Sequence, residues 1–266
     1  MTSTTKIAIH GAAGRMGRRL IAIAVNDPDI ELVAALENTS HSLIGQDAGG
    51  LAGIDDINVP LTSSLDLDVN AVIDFSVPTA SEKITHLCVE KRIPLVLATT
   101  GLDDVQQTNV AEAAKFIPIV WAPNMSLAVN LAMKLADVTA RGLRDYPSGV
   151  DVEIMEKHHR FKEDAPSGTA LRFGEIIADV MGQTRHVHGR EGRPGKRSRD
   201  EIGYHAFRVG DNPGEHTIVF GLLGESIEIS VGSTNRDGYA QGSMAAARFV
   251  AKQSPGLYGM NDVFGL

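Results

Sequence analysis

The sequence holds a single cysteine, Cys88, so no disulfide can close within the chain. That usage fits a reducing compartment, and a cytoplasmic location is expected. No stretch approaches the roughly 20 apolar residues that a membrane helix requires. The opening MTSTTKIAIHGAAG contains no long apolar segment with a cleavage site. Neither a membrane span nor a secretory signal is expected. Positive charge is also in short supply: 25 Lys and Arg face 33 Asp and Glu, a formal net charge of −8. This argues against general nucleic-acid or anionic-membrane binding, though it leaves room for a local basic pocket. There is no internal repeat and no low-complexity tract. With 43% hydrophobic residues in 266, the chain can build a real core in one large domain or two moderate ones.

The first half alternates short apolar runs with helical patterns. Strands are expected at Lys6–Gly11, Glu31–Glu37, Ala71–Ser76, Pro94–Gly101 and Ile117–Pro123. Helices are expected at Arg15–Val25, Thr79–Lys91 and Asp103–Lys115. Residues 38–70 read as loop, with a short strand near Val59. Alternation of this kind predicts a parallel sheet covered on both faces. A long helix from Ser126 to about Tyr146 follows, with Leu127, Leu131, Leu135 and Val138 at helical spacing. Then the period changes. VDVEIMEKH alternates, placing Val152, Ile154, Glu156 and His158 on one face. A helix at about Thr169–Met181 and strands at Ile202–Val209, Glu215–Leu222 and Glu225–Gly232 complete an α+β region with a mostly antiparallel or mixed sheet. The expected fold is therefore α/β: a Rossmann-like domain over residues 1–125 and a second domain over 126–236. The C-terminal helical segment, 237–266, is expected to return to the first.

The first strand runs into GAAGRMG, with glycines at Gly11, Gly14 and Gly17. Such a turn lets backbone N–H groups approach a pyrophosphate at the start of the next helix. The spacing is G-x-x-G-x-x-G rather than G-x-G-x-x-G, and a tight turn with close helix–sheet packing explains a glycine triplet equally well. Context favours the dinucleotide. The turn follows the first strand and opens a helix, and Glu37 ends the second strand 20 residues after Gly17, where an acid meets the adenosine ribose hydroxyls. Two later strand ends, ATTG and APNM, carry small and amide residues suited to a flat nicotinamide. Ordinary loop chemistry explains them as well.

The most concentrated chemistry lies in EKHHRFKEDAPSGTA, Glu156 to Ala170. Two histidines, two lysines, an arginine and three acids run into Pro-Ser-Gly-Thr. A helix starting at Ser167-Gly168-Thr169 offers backbone N–H groups to an anion. Histidine adds a proton donor that titrates near neutrality. A solvated strand end is the plainer account of adjacent histidines. One cysteine and scattered histidines make no zinc set, so no metal is expected. No G-x-S-x-G elbow surrounds Ser167, so a helix cap suits it better than a nucleophile. The basic run Arg185–Arg199 reads as a mobile surface loop, with steering of an anionic substrate as its alternative.

This segment resembles the signature of the 4-hydroxy-tetrahydrodipicolinate (dihydrodipicolinate) reductase family of the diaminopimelate route to lysine. The likeness extends over nearly the whole chain, through GAAGRMG, VIDFS, ATTG, APNMS and IGYHAFRVGDNPGEHTIVF. It implies an NADH- or NADPH-dependent oxidoreductase acting on a small cyclic dicarboxylate, built as a homotetramer through its C-terminal sheets. By the same resemblance the general acid falls on His158 and the catalytic, substrate-binding lysine on Lys162. Substrate contacts fall on His159, Gly168 and Thr169. Cofactor contacts fall on Gly11, Ala12, Ala13, Gly14, Arg15, Met16, Glu37 and Asn38, on Ala98, Thr99 and Thr100, and on Ala122, Pro123, Asn124 and Met125.

The chain departs from that pattern at His10, where a small residue is commoner, and at Asn38 and Val77, where some members carry arginines. Without those arginines, NADH is expected to serve at least as well as NADPH. Two rival classes are another two-domain amino-acid dehydrogenase and a non-catalytic dinucleotide sensor. The first would not need the His-His-Lys segment, and the second could have lost His158 and Lys162.

Overall fold

The computed structural model describes residues 4–266. Two compact units emerge, one reaching to Leu127 and taking in Arg236–Leu266, the other comprising Ala128–Asn235. The first begins with β1 (Thr5–His10), α1 (Arg15–Ala24), β2 (Ile30–Leu36), α2 (Ala48–Ala52), β3 (Leu61–Thr62) and β4 (Ala71–Asp74). It continues with α3 (Pro78–Lys91), β5 (Leu95–Leu97), α4 (Asp104–Ala113) and β6 (Pro118–Trp121). Next come α5 (Leu127–Leu143), β7 (Asp151–His158), α6 (Gly168–Met181), β8 (Arg185–His188), β9 (Glu201–Arg208), β10 (Glu215–Gly221) and β11 (Ser226–Gly232). The chain closes with α7 (Asp237–Val250), β12 (Gly256–Tyr258) and α8 (Met260–Phe264), which belong to the first unit.

In the first unit seven parallel strands form one sheet, ordered β12-β6-β5-β4-β1-β2-β3. Its strands are apolar runs because both faces are covered. Ile7, Ile9, Ile73, Val96 and Val120 pack with Leu20, Met244 and Val250 on one side. Ala8, Val72, Leu95 and Ile119 pack with Ile84, Cys88 and Val110 on the other. The strand order reverses at β1 and β4, and ligands of such sheets sit beyond the carboxyl ends of the strands at that point.

The second unit's sheet is mixed, ordered β11-β10-β7-β9-β8. β10 runs antiparallel to β7 and β11, whereas β7, β9 and β8 are mutually parallel. The alternation of β7 is as expected: Val152, Ile154, Glu156 and His158 are buried and share a face. Phe173, Ile177, Ile202, Ile218 and Phe220 complete the core against that face.

Two expectations need correction, and the long helix α5 buries a face other than its leucine stripe. Residues 38–70 are not all loop, since they contain the short helix α2, and the short strand expected near Val59 is β3 at Leu61–Thr62. Their glycine content reads as loop, but the Asp47 carboxylate accepts from the N–H groups of Gly49, Ile57 and Val59 and so organises the segment. The stripe Leu127, Leu131, Leu135 and Val138 of α5 is 41% to 55% exposed. The buried positions of that helix are Val129, Ala132, Ala136 and Ala140. The basic run is not simply a surface loop. It begins as β8, and Arg190 and Arg197 reach back to Glu153 at 2.7 and 3.0 Å, with Arg190 also 2.5 Å from Glu201. Burial pushes the Glu153 carboxyl up, but hydrogen bonds from Arg190, His205 and Arg197 hold it down at about 2.

Candidate functional site

The glycine turn links β1 to α1 at the carboxyl end of the first sheet. Gly11 has φ +78°, in the left-handed region, and a Cβ there would lie 2.6 Å from the Phe75 carbonyl. A Cβ on Gly17 would collide with the backbone of Gly11 and Ala12. Glu37 joins the turn directly, since the Ala13 N–H donates to its Oε2 at 3.3 Å. Gly11, Gly14, Glu37, Asn38, Ser76 and Lys83 are among the residues lining a groove of about 630 Å³. A backbone left bare by glycine, next to a carboxylate at the end of β2, fits the pyrophosphate and ribose of a dinucleotide.

Other residues assigned to the cofactor divide by exposure. Arg15 and Thr100 are exposed, Met16 is half-buried, and Ala12, Ala98, Ala122 and Met125 are buried. Thr99 is buried and its hydroxyl is committed to the interior. It donates to Asp74 Oδ2 at 2.8 Å and accepts from the Ser76 N–H at 3.0 Å. The Asn38 amide oxygen is likewise engaged, accepting from the Ser40 N–H at 3.0 Å and hydroxyl at 2.9 Å. Asn124 accepts from the Ser126 N–H at 3.0 Å, while the neighbouring Pro123 is exposed. His10, an unusual residue before such a turn, has its Nδ1 2.6 Å from the buried Asp74 carboxylate.

We expect Gly17→Ala to cost about 1–3 kcal/mol, the usual penalty for an overpacked site. Both thermal stability and NADH affinity should fall. Unchanged values for both would show that the turn can relax around a methyl group.

In the second unit, β7 delivers Glu156 and His158 two residues apart on one buried face. His158 Nδ1 is hydrogen-bonded to Glu156 Oε2. Glu156 Oε1 accepts from the Ser167 N–H at 3.2 Å, and both carboxylate oxygens receive the Arg208 guanidinium, at 2.7 and 3.0 Å. The parallel register that sets His158 beside Arg208 brings that arginine within reach. Burial pushes the His158 pKa down, and Glu156 only partly restores it, leaving it below the ordinary value. Burial raises the Glu156 carboxyl, but Arg208 and His158 more than offset this and hold it low.

The turn after β7 carries the remaining charge. Lys162 Nζ lies 2.8 Å from Asp164 Oδ1, and its positive field is felt at His158. His159 follows on the other face of the strand end, half-buried, and its Nδ1 is buried with no hydrogen-bond partner among the described residues. Ser167 caps α6, its hydroxyl accepting from the Ala170 N–H at 3.3 Å. The same hydroxyl is 3.1 Å from His216 Nε2. Burial drives the His216 pKa down to about 4, so the ring is neutral at pH 7. At 2% exposure Ser167 cannot meet a substrate as a nucleophile. Gly168 opens α6 with free space where a Cβ would be, and Thr169 follows in its first turn. Among the described residues no cluster of His, Cys, Asp or Glu could hold a metal ion.

Comparison with known proteins decides the family. The model described as "Dihydrodipicolinate reductase, N-terminus" matches residues 5–125, and its C-terminal counterpart matches residues 128–264. The chain belongs to the dihydrodipicolinate reductase family. The 4-hydroxy-tetrahydrodipicolinate reductase of Rhodopirellula baltica is 54% identical over 273 residues, covering 100% of this chain and 98% of that protein. The enzyme of the same name from Hahella chejuensis is 44% identical, with 98% and 99% covered. A dipicolinate-bound dihydrodipicolinate reductase from Paenisporosarcina sp. TG-14 superposes with a TM-score of 0.76 at 25% identity, covering 97% of this chain and 98% of that one. Membership makes the chain a nicotinamide-dependent oxidoreductase of lysine biosynthesis.

Several residues of these clusters escape sequence reasoning. Glu156 appears there only as a member of an alternating face, and Arg208 and His216 only as letters of a family motif. Lys83 lies in an unremarkable helix. Their places depend on sheet register and strand order, which composition does not reveal.

Proposed function

We propose that the chain reduces 4-hydroxy-tetrahydrodipicolinate to tetrahydrodipicolinate, with His158 as the proton donor. The observation that carries this reading is the cluster of His158, Lys162 and the α6 N-terminus within one unit. Lys162 and the first N–H groups of α6, at Gly168 and Thr169, suit the carboxylates of a cyclic dicarboxylate. His159 adds a further polar contact. His158 holds its proton on the side away from Glu156 and delivers it to the ring carbon that has gained carbanion character. The dinucleotide, when bound, supplies the hydride. Gly11 to Met16 would hold its pyrophosphate and Glu37 its adenosine ribose. The ends of β5 and β6, at Ala98–Thr100 and Ala122–Met125, would hold the nicotinamide.

NADH is expected to be used at least as well as NADPH, judged by kcat/KM. The Glu37 carboxylate repels a 2′-phosphate, and Asn38 carries no compensating charge. Asn38→Arg should shift the ratio toward NADPH by several-fold, about 1 kcal/mol for one exposed charged contact. Measuring both cofactors with both proteins tests this. A wild-type enzyme that strongly prefers NADPH would contradict it and point to Lys83, which lines the same groove, as the phosphate's partner.

The same reading extends to a cytoplasmic homotetramer. No helix among the described residues is long and apolar enough to cross a membrane, and Cys88 is buried and unpaired. Leu131, Leu135 and Val138 of α5, with Phe207, Val209 and Ile227, leave apolar surface exposed on the second unit, which supports self-association. Sedimentation of the purified protein tests the assembly, and a monomer at micromolar concentration would refute it.

A further inference from the structure

We infer that Glu156 and Arg208 are a positioning pair that fixes the ring of His158 with Nδ1 engaged and Nε2 as the atom that delivers the proton. The inference rests on the reading of His158 as proton donor. Glu156 has a side chain 1% exposed and spends its two oxygens on four donors: His158 Nδ1, the Ser167 N–H and two nitrogens of Arg208. An ionised carboxylate is acceptor-only, so Nδ1 must carry a hydrogen toward it. The opposite ring nitrogen is left for chemistry. The main chain at Gly214 keeps that side clear, since a Cβ there would lie 2.9 Å from His158 Nε2 and the φ of +141° disfavours any side chain.

Arg208 has a separate task. A carboxylate sharing a proton with a buried imidazole could take that proton itself and leave the ring without it. The fixed guanidinium favours the ionised carboxylate and so opposes that transfer. Arg208 also donates from Nη2 to the Asp164 carbonyl at 2.5 Å, tying the pair to the turn that holds Lys162. The charged and titratable groups around His158 are thus Glu156 on β7, Arg208 on β9, His216 on β10, and Lys162 and Asp164 in the turn. Glu156 alone among those next to the ring stabilises the imidazolium, whereas Arg208 and Lys162 oppose it.

The two substitutions should therefore move the pH profile in opposite directions. A general acid must be protonated, so kcat/KM declines as pH rises through the pKa of His158. Glu156→Gln keeps the shape but removes the negative charge. It should carry that decline to lower pH by about 1–3 units, the usual effect of losing one close charge. Arg208→Gln should carry it to higher pH. NADH affinity and the circular-dichroism spectrum report whether each variant is folded. A packing role alone would lower kcat in both variants and leave the decline where the wild type has it, which overturns the inference. Nitrogen NMR of the wild-type protein gives a second test that needs no variant. Neutral His158 should be the Nδ1–H tautomer, and finding the Nε2–H tautomer also overturns the inference. His158→Gln separates the two levels. If it retains full kcat, the proton-donor reading itself fails. If it loses kcat while Glu156→Gln leaves the decline unmoved, only the positioning pair fails.

Discussion

Replacing His158 by Gln is expected to lower kcat by roughly 10²- to 10⁴-fold, the range for removing a positioned acid. KM should change less, because the carboxylate-binding groups remain. The histidine is nearly buried at the end of β7, hydrogen-bonded to Glu156 and close to two cations. Burial lowers its pKa below the ordinary value, which makes it a better acid than a free imidazole. A bound dicarboxylate would favour the imidazolium, so the decline of kcat with pH should lie above that of kcat/KM. Full kcat in the Gln variant, measured under chemistry-limited conditions, would remove His158 from the reaction.

Lys162→Ala should have the next largest effect, raising KM and lowering kcat together. Losing one charged hydrogen bond to a carboxylate costs about 1.5–3 kcal/mol, or roughly 10- to 100-fold in kcat/KM. In the structure this ammonium is paired with Asp164 at 2.8 Å, and that carboxylate is the more exposed partner. On the proposed reading, substrate would join or displace this ion pair, which holds the lysine in place beforehand. Burial tends to raise the Asp164 pKa, but Lys162 more than offsets this and holds it low. The affinity for NADH should be nearly unchanged in Lys162→Ala. A large loss of cofactor affinity would place the lysine at the pyrophosphate instead.

Much of this architecture is legible in the residues because most strands of the first sheet are short apolar runs alternating with helical patterns. Alternation in VDVEIMEKH is equally plain, and it correctly groups Glu156 with His158. What stays hidden is non-local. The stripe of leucines on α5 looks like a buried face, yet alanines fill that face and the leucines are exposed. The arginines of the basic run look mobile, but acids on β7 and β9 hold two of them. Thr99 reads as a loop hydroxyl, whereas Asp74, 25 positions earlier, draws it inward. The partners of His158 follow the same rule, since Arg208 reaches Glu156 only through the parallel pairing of β7 with β9.

The most direct test supplies the purified protein with the product of the enzyme that forms the cyclic dicarboxylate, and follows reduced-nicotinamide absorbance with NADH and NADPH in turn. Both should be oxidised, NADH at least as efficiently, with tetrahydrodipicolinate formed in equal amount and the reaction nearly abolished in His158→Gln. Tight NADH binding without any oxidation in the presence of that substrate would contradict it.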